Sequence, residues 1–144
     1  MPLDPDVVLR LLAQGRRHIE ILRTYQKMPR PEFRSEAGRM LAVLHGLQIT
    51  IQCLIDLALH VSAALGEMRI ETYADAARAL VDLEVLSAGQ GETMRAMVGL
   101  RNLIVHAYAA IDEERILSLL DSGLDDLAGL LDAMERDLKK RGAF

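Results

Sequence analysis

The chain has 144 residues, 51% of them hydrophobic and 26% charged, which suits one compact domain and excludes a disordered chain. Aromatic residues are only 3%, with no Trp, so Leu, Ala, Ile, Val and seven Met must fill the core, a mix that favours helices over sheets. The net charge of −4 excludes nucleic-acid binding by bulk charge alone, although the charge is uneven: residues 1–40 carry +3, 41–100 carry −4 and 101–144 carry −3.

Five helical segments and no convincing strand are expected, forming a single domain over residues 1–144. The first runs from Asp4 to Gln26, with Asp4 as cap and Pro5 at the first helical position. Pro29 and Pro31 then break the chain. The second runs from Pro31 or Glu32 to Leu65, with a bend expected at Gly38 or Gly46. Its Met40, Leu44, Leu47, Ile51, Leu54, Ala58, Val61 and Leu65 recur by fours and threes, which is a helical seam for burial. The third runs from Tyr73 to Leu86, with Thr72 as cap and Asp75 three residues later. Residues 87–91 read as a loop. The fourth runs from Glu92 to His106 or slightly beyond. The fifth starts at the cap Asp112 and ends near Arg141, before Gly142. The architecture expected is an all-α bundle of four to five helices.

Cys53 is the single cysteine and lies in an apolar run, so a packing role in a reducing compartment is expected. The N-terminus has neither the basic region nor the apolar region of a signal peptide. No apolar stretch reaches the ~20 residues of a membrane span. A cytoplasmic protein with no membrane contact is the expectation.

The fourth segment carries the chemistry. On a helix, Met94, Met97, Val98, Ile104, Val105 and Tyr108 all fall within about 60° of Arg101. Arg101 is therefore the one charge in an apolar stripe, and it needs a carboxylate, a carbonyl cluster or an anionic ligand. His106 lies about 140° away, on the side of Asn102 and Arg95. Either the helix ends between Arg101 and His106, or one site draws its groups from two copies of the chain, as a two-fold dimer would supply. On the second segment, His45, Gln52, Asp56 and His60 form a stripe opposite the apolar seam. Asp56 and His60, four residues apart, are spaced to pair. The stripe reads as a polar groove or as a solvated face. No glycine-rich phosphate loop, Cys-x-x-Cys, metalloprotease helix or Gly-x-Ser-x-Gly is present, so no metal and no cofactor are expected.

The run Arg101-Asn-Leu-Ile-Val-His106-Ala-Tyr108 follows the pattern R-x4-H-x-Y. It resembles the HEPN superfamily and, within it, the HepT toxins of bacterial and archaeal toxin–antitoxin pairs. Cys53-Leu-Ile-Asp56-Leu-Ala-Leu-His60, Tyr73-Ala-Asp-Ala-Ala, Gly99-Leu100 and Ile111-Asp112 fit the same family in register, over roughly residues 35–130. The resemblance implies a dimeric HEPN-like bundle that cleaves RNA without a metal at a composite site in the dimer cleft. Arg101 and His106 would be catalytic, with Asn102 and Asp56 supporting. It also implies a partner, a small MNT-type nucleotidyltransferase antitoxin that adds AMP to Tyr108. The chemistry suits the residues: His106 can shuttle protons near neutral pH, and the planar Arg101 fork can stabilise a pentacovalent phosphate. Two other readings remain: a non-catalytic helical adaptor that keeps the motif as a dimer scaffold, and a nucleotide-binding module that uses Arg101 for phosphate.

Overall fold

The computed structural model describes residues 3–66 and 69–144; the expectation about the extreme N-terminus falls partly on Met1 and Pro2, outside these. Among the described residues there are six α-helices and no strand. They are α1 (Pro5–Gln26), α2 (Arg30–Arg34), α3 (Ala37–Leu65), α4 (Tyr73–Asp82), α5 (Ala88–His106) and α6 (Glu113–Lys140), with a 3-10 turn at Tyr108–Ala110. The five longer helices form the bundle, and α2 is a short brace.

Local chemistry sets most of these boundaries. Asp4 accepts from the Asp6 N–H at the start of α1, and Asp112 accepts from the Glu114 N–H at the start of α6. Thr72 and Asp75 close a full capping box on α4, satisfying N–H groups that the helix itself cannot. Gly142, at φ +75°, follows α6 in the left-handed conformation that glycine adopts without strain.

Three boundaries differ from expectation. The second segment is divided: Ser35 closes α2, Glu36 is extended (φ −135°, ψ 119°), and α3 then runs unbroken through Gly38 and Gly46. The third segment stops at Asp82 instead of Leu86. Glu84 takes φ +61°, and the N–H groups of Val85 and Leu86 both return to the Leu80 carbonyl. This folded-back turn buries the apolar pair Val85 and Leu86 that gave the segment its apparent length. The expected loop 87–91 is the start of α5. Ser87 Oγ accepts from Gln90 N–H at 3.1 Å, and Gln90 Oε1 accepts from Ser87 N–H at 2.9 Å.

α3 is the central helix, packed by α1, α2, α4, α5 and α6. Leu47, Ile51, Leu54, Ala58 and Val61 of its seam are fully buried, and Met40, Leu44 and Leu65 are partly so. α1 lies antiparallel to α3. Leu22 fills the space above Gly46, where an added Cβ would sit 2.8 Å from Leu22 Cδ2. At the other end His60 Nε2 accepts from the Asp4 N–H at 3.0 Å. α6 lies antiparallel to α1, tied along its edge by Arg16 to Asp132 and Glu135, Arg23 to Asp125, and Arg30 to Asp121. Such exposed pairs contribute at most about 1 kcal/mol each, so burial of the apolar faces carries the fold.

One expectation about membranes needs correction. α3, at 29 residues, is long and apolar enough to cross a bilayer by length and composition. The sequence reading missed this because Gln52, Asp56 and His60 interrupt the apolar run without lowering its average below that of a span. Half of its most apolar window is buried by the rest of the chain, the pattern of a core helix.

Candidate active site

Arg101 projects from α5 toward α3, as its place in the apolar stripe requires. Its Nε donates to Gln52 Oε1 at 3.0 Å, and Nη1 donates to Asn102 Oδ1 at 3.1 Å. The ring of Tyr73, the first residue of α4, lies 5.1 Å from the guanidinium carbon, in cation–π range. Gln52 in turn donates through Nε2 to Asp56 Oδ1 at 2.8 Å. A chain of contacts therefore runs Asp56–Gln52–Arg101–Asn102 across α3 and α5.

Of the partners the sequence left open for Arg101, a direct carboxylate is not the one found. Among the described residues no acid lies within ion-pair distance of it, and its half-buried charge meets only neutral amides and a ring. Asp56 reaches it only through Gln52. The carboxylate orients the amide, so the carbonyl end of Gln52 must face the arginine. Nη2 makes no hydrogen bond among the described residues, so one arm of the fork stays available for an anion.

The Asp56–His60 pair expected from spacing does not form. Asp56 is taken by Gln52, and His60 accepts from the backbone of Asp4. His45 is exposed about three turns before Asp56 on the same stripe. Among the described residues no three His, Cys, Asp or Glu side chains gather as a metal would need. Cys53 is buried beside Gly15 on α1; burial pushes its thiol up, and the Asp56 carboxylate adds to this.

His106 is the last residue of α5, so the helix does not end between it and Arg101. It is exposed, on the side of Asn102 and Arg95, and does not touch Arg101. Within one chain the two groups therefore diverge. Tyr108 departs from its place on the helical wheel. Ala107 breaks the helix (φ −144°, ψ 41°), and Tyr108 opens the 3-10 turn with 73% of its surface exposed. The wheel assumed a continuing helix, so the alignment of Tyr108 with Arg101 over two turns does not hold.

Two features were not foreseen. Tyr73 was read only as the start of the middle helix. Its place beneath Arg101 follows from α4 running antiparallel to α5, which no local pattern reveals. Gln52 stood in the polar stripe without a role; the signal was its position one turn before Asp56.

The sequence model of the ribonuclease HepT-like family matches residues 16–134. No curated protein matches. Among solved structures, a toxin–antitoxin complex with AMP-PNP aligns at TM-score 0.84 and 19% identity, over 91% of this chain and 98% of that one. A tri-AMPylated Shewanella oneidensis HEPN toxin in complex with MNT antitoxin aligns at TM-score 0.84 and 20% identity, over 92% and 99%. YutE, a cytosolic protein of unknown function from Bacillus subtilis, aligns at TM-score 0.82 and 18% identity, over 98% and 95%. At such identities the likeness establishes the fold.

Proposed function

The chain belongs to the ribonuclease HepT-like family, and on that premise we propose that it is an endoribonuclease toxin that needs no metal. Its site is built from Arg101 and His106 in the cleft of a two-fold dimer. The observation that carries this reading is the Arg101 guanidinium, half-buried, fixed by neutral groups and, among the described residues, left without a counter-charge. A cation held this way is an anion site awaiting its ligand. In RNA that ligand is the scissile phosphate.

The steps follow from the groups. The 2′-oxygen forms a bond to the adjacent phosphorus while the bond to the 5′-oxygen breaks. The His106 imidazole accepts the 2′-hydroxyl proton and delivers a proton to the leaving 5′-oxygen. The products are a 2′,3′-cyclic phosphate and a 5′-hydroxyl end. Arg101 stabilises the charge gathering on the phosphate oxygens. Asn102 and, through Gln52, Asp56 hold Arg101 in place.

The outward turn of His106 supports a site shared between copies. A two-fold axis beside α5 brings His106 of one copy towards Arg101 of the other. The exposed apolar groups Val105 and Tyr108 fit burial in such a contact. Two similar structures, both toxins with their antitoxins and one of them AMPylated, support an MNT-type nucleotidyltransferase partner that modifies Tyr108.

Cleavage of RNA by the purified protein in EDTA tests the proposal. Arg101→Ala and His106→Ala should each abolish activity and growth toxicity while helicity is kept. Loss of cleavage on chelation with recovery on added metal would overturn the mechanism.

A further inference from the structure

The seam between α4 and α5 holds a second cationic feature that the Arg101 site does not use. The two helices run antiparallel, with Val81 against Gly91 at one end and Tyr73 beneath Arg101 at the other. Gly91 permits this approach, since a Cβ there would stand 2.3 Å from Val81 Cγ2. Beside that contact opens a cavity of about 350 Å³, with Asp75 and Arg78 on its α4 wall and Glu92 and Arg95 on its α5 wall.

Two guanidiniums and two carboxylates line it, so its formal charge is balanced, and its use for an anion rests on how weakly the acids hold the two cations. Residues 41–100 hold three Arg/Lys against seven Asp/Glu, yet two of those three cations line this one cavity. Arg95 is exposed and makes no ion pair or hydrogen bond among the described residues. Glu92, one turn away on α5, does not engage it. Arg78 reaches only Asp75, at 3.3 Å. That carboxylate is already committed to the α4 capping box, accepting from the N–H groups of Thr72 at 3.0 Å and Glu71 at 3.1 Å. Its negative charge is spread over three donors, which leaves Arg78 lightly held.

The cavity also points the right way. On α5, Gly91, Arg95, Asn102 and His106 fall within about 60° of one another, so one helix face runs from the cavity to His106. At 1.5 Å per residue, Arg95 and His106 are about 16 Å apart along that face, a span of a few nucleotides. The lining contains no aromatic ring, so it offers bases no stacking surface. It does offer two guanidinium forks, the groups best shaped for phosphate oxygens.

We propose that the α4–α5 cavity is a backbone subsite for single-stranded RNA, in which Arg95 and Arg78 grip a phosphate a few nucleotides from the bond cut at Arg101 and His106. The proposal rests on the ribonuclease reading above. Such a contact reads no sequence; it anchors the strand, so that binding energy remote from the reaction positions the scissile phosphate.

The test uses the full chain carrying His106→Ala, so that bound RNA is not cut, and a short fluorescein-labelled RNA of mixed sequence. Fluorescence anisotropy is read over a series of salt concentrations. Arg95→Ala and Arg78→Ala should each weaken binding about three- to tenfold and reduce the salt slope by about 0.7. Arg10→Ala, on α1 away from the seam, should change neither. In the active protein, Arg95→Ala should raise KM for long RNA and leave cleavage of a dinucleotide unchanged. If the parent protein binds RNA and Arg95→Glu binds it equally well with the same slope, the subsite is absent. If Arg95→Glu changes the sedimenting mass and not the RNA affinity, the face is a contact between copies and the proposal falls. If the His106→Ala chain does not bind RNA and the protein without that substitution does not cut it, the ribonuclease reading fails first and takes this one with it.

Discussion

Arg101 Nε donates to Gln52 Oε1 at 3.0 Å, so among the described residues the charge at the centre of the site is held by an amide and not by an acid. An amide orients the guanidinium without neutralising it, and the Asp56 carboxylate behind it fixes which end of the amide faces forward. Gln52→Glu should therefore be worse than Gln52→Ala. The alanine loses one bond and some alignment, and kcat should fall about tenfold. The glutamate pairs with Arg101 and repels phosphate, and kcat should fall about a hundredfold or more. Single-turnover cleavage beside far-UV circular dichroism checks this; equal rates for the two variants would count against the anion-site role of Arg101.

Arg101 and His106 diverge on one helix, which predicts complementation. Inactive Arg101→Ala chains mixed with inactive His106→Ala chains should regain part of the activity. Each heterodimer contains one site with both lesions and one with neither. Verified heterodimers that stay inactive would place the site within one chain.

How much of this was legible in sequence depends on how local each cause is. The Thr72–Asp75 box, the α3 seam and the ends of α1 and α6 are written in neighbouring residues, and they were readable. Ser87–Gln90 is an equally local box, but Gly89 and Gly91 beside it read as breakers. Gly91 is there because Val81 of another helix needs the room, a tertiary cause that no local pattern carries. The same holds for the site. The isolation of Arg101 in an apolar stripe was visible on the helical wheel. Tyr73 beneath it, Gln52 in place of a carboxylate, and Tyr108 beyond the helix end all depend on how helices pack and stop.

The close approach at Gly91 can be measured. Gly91→Ala puts a methyl 2.3 Å from Val81 Cγ2, which forces α4 away from α5 at a cost of about 1–3 kcal/mol. Because Tyr73 and Arg101 meet at the far end of the same seam, kcat should fall as well. Val81→Ala removes the clashing atom. The double variant should regain both melting temperature and rate relative to Gly91→Ala, and a double-mutant cycle showing no coupling would contradict this contact.

Acid stability should follow the α1–α6 edge. The Arg16 hydrogen bond, at 2.6 Å, is the main cause holding the Glu135 carboxyl below its ordinary value of 4.5, against a partial burial that pushes it up. Its contribution is thus fully present above about pH 4.5 and is lost as pH falls through the lower folded value. Arg16 stays protonated throughout. The wild-type melting temperature should decline below that pH, and Glu135→Gln should melt lower at neutral pH but decline less steeply. The gap should be modest, since exposed pairs are worth about 1 kcal/mol or less.

Control through Tyr108 makes the last prediction. The helix stops at His106, and Ala107 turns the chain so that Tyr108 stands 73% exposed in its own 3-10 turn. An exposed phenol can enter the active site of a second enzyme without unfolding any of the bundle. In the proposed modification the phenol oxygen attacks the α-phosphorus of ATP, pyrophosphate leaves, and the phenolic proton passes to a base of the transferase. The product tethers an anion at the C-terminal end of α5, near His106 and the proposed dimer cleft. There it competes with RNA phosphate for the cleft, with an effective concentration set by the tether and not by the solution. Its bulk also narrows the cleft. Tyr108→Phe should therefore retain cleavage yet escape silencing by a partner nucleotidyltransferase with ATP. Arg101→Ala should still be modified, because the exposure of Tyr108 does not depend on the arginine. Intact-mass measurement after incubation with partner and ATP reads both. An AMP-sized gain on the Phe variant equal to that on the wild type would place the acceptor elsewhere.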